Sequence, residues 1–265
     1  MATVQKTIDV NKSKLIVLEG CDGSGKTLQA TLLYHFYTTQ GFALQEREPT
    51  GSNIGKWIRK ELKGEKMSVR DIQLLFLANR VEHFERMNAD YQHMIERDGT
   101  PFIIQDRGEP STAAYAETSG GQLTLEEVID LHRRANLQKP DIVLFLRTDA
   151  DVAAKRRKLR VDGKERFDDL DKQVKIAAAY EKLGSMGVYN WVDVDANGSI
   201  EDVHFKIIDV LEERDLLPKQ KDTSRVSLQQ WKDNFRDWLQ RFEENQRLHG
   251  SALFPPPEAG VHPAQ

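Results

Sequence analysis

The segment that most restricts this chain is Glu19 to Gln29, EGCDGSGKTLQ. Gly20, Gly25, Lys26 and Thr27 complete the pattern G-x-x-x-x-G-K-[ST]. It comes directly after a short apolar run, Lys14 to Leu18, and directly before a helical stretch from about Lys26 to Thr39. Strand, glycine-rich turn and helix in that order make a cradle for phosphate. The glycines let backbone N–H groups close around anionic oxygens, and the helix N-terminus adds positive potential. In such a loop Lys26 reaches the β- and γ-phosphates, and the Thr27 hydroxyl ligates Mg²⁺. Gly20, Cys21, Asp22, Gly23, Ser24, Gly25, Lys26 and Thr27 are therefore the candidate contacts to ATP or a similar triphosphate.

Further apolar runs follow at Ala43 to Gln45, Pro101 to Gln105, Asp141 to Leu146 and Trp191 to Val194. Helical patterns occupy Ser68 to Glu96, Thr124 to Asn136, Ala150 to Leu159, Leu170 to Gly184 and Ser199 to Glu213. Strands that are apolar throughout, alternating with helices, predict an α/β fold of the P-loop NTPase type. That is a three-layer arrangement, a five-stranded parallel sheet with helices on both faces. The length, 265 residues, suits one such domain with an appendage.

Composition narrows the function classes. A chain that is 39% hydrophobic with 38 basic and 42 acidic side chains is not disordered. Its net charge of −4 argues against coating nucleic acid through bulk charge, though not against a local anion pocket. No apolar run approaches the roughly 18 residues of a membrane span, and Met1 to Ser13 lacks the apolar core of a secretory signal. Cys21 is the single cysteine, so no intramolecular disulfide forms, and a cytoplasmic setting is expected. Its place among phosphate-directed N–H groups at a helix start is one that can lower a thiol pKa, although an inert, buried loop cysteine is the favoured reading.

Two more clusters separate a kinase from other phosphate-loop proteins. Gln105-Asp106-Arg107 ends a buried strand, the edge at which open α/β sheets hold their ligands. Asp106 there suits Mg²⁺, and Arg107 suits an acceptor phosphate bound through both arms of its guanidinium. The second cluster is Lys155, Arg156, Arg157, Lys158, Arg160, Lys164 and Arg166, with Gly163 allowing a bend. A closing basic segment supplies charge to a phosphoryl transition state and excludes water; alone, it also reads as a solvated helix end. A guanine-recognition N-K-x-D motif is absent, since Asn11-Lys12-Ser13-Lys14 lacks the aspartate.

From about Leu15 to Leu211 the chain resembles the thymidylate kinase family, motif by motif and in family order. The matching segments are EGCDGSGKTLQ, REPTGSNIGKWIRKEL, LLFLANRVEHFE, DRGEPSTAAYA, PDIVLFLRTDADVAAKRR, KERFDD and VDVDANGSIEDV. The resemblance implies transfer of the γ-phosphoryl of ATP to a deoxynucleoside 5′-monophosphate, dTMP foremost, with Mg²⁺. It implies that Phe76 stacks on the base, that Arg80 meets the base edge, and that Thr112 contacts the pyrimidine. Tyr115 would crowd the sugar 2′ position, Arg47 and Arg107 would hold the acceptor phosphate, and Asp22 the 3′-hydroxyl. The lid, about residues 156–167, would bring Arg156 to the ATP side. Gly23 stands where some members carry arginine, so Arg166 and Arg160 would carry the transition-state charge. Read from the apolar run alone, Phe76 is instead a core residue. Gly108 replaces the tyrosine or histidine usual after Asp-Arg, which implies a roomier acceptor pocket. A kinase for another pyrimidine or modified deoxynucleotide, and a regulatory module without turnover, are the alternatives.

Residues 1–216 form the expected kinase domain, and 217–265 lie outside the resemblance. There Leu228, Trp231, Phe235, Trp238 and Phe242 recur at spacings of 3, 4, 3 and 4, one stripe on a helix over about 228–249. Large apolar side chains left in water cost roughly 1.5–3 kcal/mol each, so the stripe must be covered. The kinase body or a twin subunit in a homodimer is the expected cover, with a separate partner or a membrane surface as the other reading. Pro255 to Pro257 open a tail expected to be disordered.

Overall fold

The computed structural model describes residues 13–64, 66–98, 101–158, 167, 170–218 and 226–249. Five strands form one wholly parallel sheet: β1 (Lys14–Glu19), β2 (Ala43–Arg47), β3 (Phe102–Asp106), β4 (Ile142–Arg147) and β5 (Trp191–Asp195). Their order across the sheet is β2-β3-β1-β4-β5. Register pairs Leu18 with Asp106 and with Leu144. The residues ending β1 and β3 therefore emerge side by side at one edge.

Side chains alternate along β1. Ile16 and Leu18 enter one core with Leu32, Leu33 and Phe36 of α1 (Lys26–Gln40) and Ile207 and Leu211 of α8 (Ile200–Glu213). Leu15 and Val17 enter the opposite face with Phe84 and Met87 of α3 (Val69–Asp98). Over β4, Val143 and Phe145 meet α4 (Glu109–Ala116), α5 (Leu125–Arg134) and α7 (Leu170–Ser185). Burial on both faces is why these strands read as continuous apolar runs. Two helices had no signal in the periodicity. α2 (Asn53–Leu62) buries only Ile58 among its large apolar residues, and the short α4 is alanine-rich with a proline in its first turn. Each is fixed locally: Ser52 caps α2 by accepting from Gly55 N at 3.2 Å, and Pro110 suits the first turn of α4. The remaining helix before the extension is α6 (Ala150–Lys158).

Leu228, Trp231, Phe235 and Trp238 of the C-terminal stripe lie on α9 (Leu228–His249) and pack on the α1/α8 face, while the Phe242 side chain lies outside the described residues. Trp231 is 5% exposed and Phe235 fully buried. Trp231 Nε1 donates to His204 Nε2 at 3.1 Å, and the His204 ring stacks on Phe235 at 4.8 Å. Burial pushes the His204 imidazole down to about 3, so it stays neutral and accepts that bond. Truncating Phe235→Ala is expected to cost about 3–5 kcal/mol in urea unfolding at pH 7, as for other buried phenylalanines. An unchanged midpoint would contradict this docking.

Candidate active site

The phosphate loop joins β1 to α1. Lys26 is buried, its Nζ donating to Cys21 O at 2.8 Å and Ser24 Oγ at 3.4 Å, 4.0 Å from Asp22 Oδ1. Burial first, then the Arg107 charge, brings its ammonium down to about 8. Gly23 sits at φ +91, and a Cβ there would lie 2.4 Å from Ala153 O. That contact with α6 forbids a side chain at the position where some relatives in the resemblance carry arginine. Arg157 of α6 donates to Asp22 O at 2.6 Å, and Arg156 donates to Ala196 O and Gly198 O at 2.8 and 3.1 Å. α6 is thus tied both to the phosphate loop and to the loop after β5. Arg160 and Arg166 lie outside the described residues. Cys21 is half-buried, and burial pushes its thiol up despite Lys26 nearby, so a lowered pKa does not hold and the inert reading is the one that fits.

Asp106 ends β3 where the register places it, and Arg107 follows directly. Thr27 Oγ1 donates to Asp106 Oδ2 at 2.5 Å, while Asp106 Oδ1 is buried with no hydrogen-bond partner among the described residues. Arg107 takes the left-handed backbone, φ 69. That is a conformation costing on the order of 1–3 kcal/mol in a non-glycine residue, and it persists only where the surroundings impose it. They do so here. Arg107 N donates to Leu18 O at 3.1 Å, and Gly108 N and Ser111 N both donate to Glu19 Oε1, at 2.8 and 3.1 Å. Glu19 is fully buried, and burial raises its pKa against the pull of Arg107. The Arg107 guanidinium pairs with Asp22, donates to Ser111 Oγ at 3.1 Å and lies 5.5 Å over the Tyr115 ring.

One cleft gathers the remaining candidates. Asp22, Lys26, Thr27, Asp106 and Arg107 line it together with Arg47, Phe76, Arg80, Thr112 and Tyr115. Phe76 is only half-buried and belongs to none of the three apolar clusters, so it is a wall of the cleft and not core. Arg80 is buried, its Nε donating to both oxygens of Glu48 at 2.8 and 2.9 Å. Gly108 lies on the wall of the cleft, and a Cβ on it would lie 3.2 Å from Val17 Cγ1 and 3.5 Å from Gln105 Nε2.

Three residues in or behind this cleft escaped sequence reasoning. Arg59 of α2 lines it, donating to Thr50 O at 2.6 Å and to Pro49 O, with its pKa lowered by burial and by Arg47. In KWIRKEL it reads as one of several solvated cations. Glu48, the partner of Arg80, is held down to about 2: burial pushes it up, but the Arg80 charge, hydrogen bonds from His83 and Arg80, and the His83 charge together outweigh that. His132 of α5 reaches Arg80 from behind.

The thymidylate kinase family model matches residues 18–207. The chain is similar to the thymidylate kinase of Plasmodium falciparum, 32% identical over 207 residues, 76% of this chain and 91% of that one. It is 34% identical over 211 residues to the probable thymidylate kinase of Thermococcus kodakarensis, covering 74% and 96%. The solved structure of thymidylate kinase from Candida albicans shares the fold, with a TM-score of 0.59 at 24% identity, over 77% of this chain and 93% of that one. With the phosphate loop, the Asp106-Arg107 edge and the cleft all inside the matched span, this chain belongs to the thymidylate kinase family.

Proposed function

We propose that this chain transfers the γ-phosphoryl group of ATP to the 5′-phosphate of dTMP, yielding dTDP and ADP. The observation that carries this reading is the single cleft that gathers Lys26 and Thr27 with Phe76, Arg80 and Thr112, with Arg107 also on its wall. Two anions brought in line there need little covalent help from the protein. Position and charge neutralisation carry the catalysis. Lys26 meets the transferring phosphoryl group, while Arg107 and Arg47 hold the acceptor phosphate. Arg107 does so by exchanging Asp22 for the incoming anion, which frees Asp22 for the sugar 3′-hydroxyl.

Phe76 stacks on the base, Arg80 donates to a base carbonyl beside Thr112, and Tyr115 excludes a 2′-hydroxyl. Arg156 shapes the adenine side, and Arg160 and Arg166 supply lid charge. Mg²⁺ fits this site, because Asp106 offers an unpaired buried oxygen next to the Thr27 hydroxyl. When bound, the ion neutralises phosphate charge. Trp57 and Leu74, exposed on α2 and α3, are apolar surface that a second copy would cover in a homodimer. Cytoplasmic placement rests on the lone thiol and the family. No described helix is long and apolar enough to cross a membrane. We take residues 1–216 as the kinase domain and 217–265 as its extension.

The test is incubation of the purified chain with ATP, Mg²⁺ and dTMP. Equal formation of dTDP and ADP is expected; ATP consumption without dTDP, from a folded protein, overturns the reading.

A further inference from the structure

We infer that His132 is a positioning residue for base recognition, holding the Arg80 guanidinium so that one Nη1 hydrogen is left for the base. The inference rests on the reading of Arg80 given above. His132 lies on α5, is not among the residues that line the cleft, and is 2% exposed. Its Nδ1 donates to Val128 O, one helical turn back, at 2.8 Å. That bond fixes the tautomer, leaving the Nε2 lone pair to accept from Arg80 Nη1.

The donors of Arg80 can then be assigned one by one. A guanidinium has five N–H groups in a fixed plane. The Nε hydrogen goes to Glu48, at 2.8 and 2.9 Å to its two oxygens. One Nη2 hydrogen goes to Glu48 and the other to Thr112 Oγ1 at 3.1 Å. One Nη1 hydrogen goes to His132. Among the described residues a single Nη1 hydrogen remains, on a residue that lines the cleft.

Each anchor has a separate job. Glu48 grips one edge of the plane but leaves it free to tilt about that edge. Thr112 and His132, one on each terminal nitrogen, remove the tilt. The chemistry of the third anchor also matters. A second carboxylate at that place would cancel the positive charge facing the cleft, whereas an imidazole accepts without cancelling it. Burial and the adjacent Arg80 charge keep His132 down at about 3, so it stays an acceptor through the working pH range. A single donor aimed at the base favours a carbonyl, as in thymine or uracil, over the amino group of cytosine. His132 thereby acts on specificity through Arg80.

The test compares His132→Asn with His132→Gln by steady-state kinetics on dTMP, dCMP and ATP. Asparagine keeps a donor for Val128 O but is too short to reach Arg80, while glutamine places an oxygen near the position of Nε2. Asn is expected to raise the KM for dTMP about tenfold and to lower dTMP-over-dCMP discrimination about tenfold, the scale of one lost charged hydrogen bond. The KM for ATP should not move, and Gln should restore both acceptor values to near wild type. If the two variants are indistinguishable, or the KM for ATP rises as much as that for dTMP, the inference is overturned. Should Asn fail to fold, His132→Leu gives the same contrast with Gln. Arg80→Lys separates the two levels of the claim. Unchanged discrimination in that variant overturns the role of Arg80 itself, whereas collapse there with no effect of Asn overturns only the role of His132.

Discussion

Lys26→Ala loses phosphoryl transfer by about 10³-fold or more while the protein stays folded. The size follows from removing a preorganised charge from a water-poor site where negative charge is transferred. The fold should survive because, among the described residues, Nζ bonds within its own loop, to Cys21 O and Ser24 Oγ. Its lowered pKa adds a signature in pH. The free enzyme must present the ammonium to ATP, and that proton is lost as pH rises through about 8. The value of kcat/KM for ATP should therefore fall above about pH 8, since this parameter reports groups of the free enzyme. Lys26→Arg should abolish that alkaline limb, because guanidinium does not titrate there. Near-normal turnover in folded Lys26→Ala would remove the proposed mechanism.

Arg107→Ala is the second large effect, about 10²- to 10³-fold in kcat/KM for dTMP, with KM rising and kcat falling together. The target of this guanidinium is an anion from binding through the transition state, so both parameters carry the loss. Lysine should not rescue it, since a point charge cannot replace the fork that now spans Asp22 and Ser111. Arg107→Gly, which suits a φ of 69 without strain, controls for the backbone and should show the same loss. If affinity for ATP collapsed and that for dTMP did not, Arg107 would belong to the donor side.

What could be read in the sequence was whatever a short stretch of chain determines. The phosphate loop is such a stretch, because its chemistry, its strand and its helix are contiguous. β1 and β4 are legible because both of their faces are buried. Asp106 and Arg107 gained meaning only from lying at a strand's end, and the register between Leu18 and Asp106 places them against the loop. α2 was illegible because its stability comes from a cap and from Asn79 of α3, which accepts from Thr50 N at 3.0 Å and donates to Thr50 Oγ1 at 2.7 Å. Arg59 was lost with it. His132 has no local signature: a histidine on an amphipathic helix becomes informative only when α5 is laid against Arg80, 52 residues away. The C-terminal stripe was evident, but which part of the kinase body it covers is not, since Phe36 of α1 and His204 of α8 meet it only in the folded chain.

The central claim is that the cleft beside the phosphate loop accepts thymidylate. Steady-state kcat/KM for dTMP, dUMP, dCMP and UMP, with saturating ATP and Mg²⁺, tests it most directly. The base donor from Arg80 predicts dTMP and dUMP as substrates with dCMP poor, and Tyr115 predicts UMP below dUMP. The thymine methyl group is worth only about 1–3 kcal/mol, so dTMP should exceed dUMP as a preference and not as an absolute. If dCMP or a purine monophosphate proved the best acceptor, the assignment of the cleft to thymidylate would be contradicted.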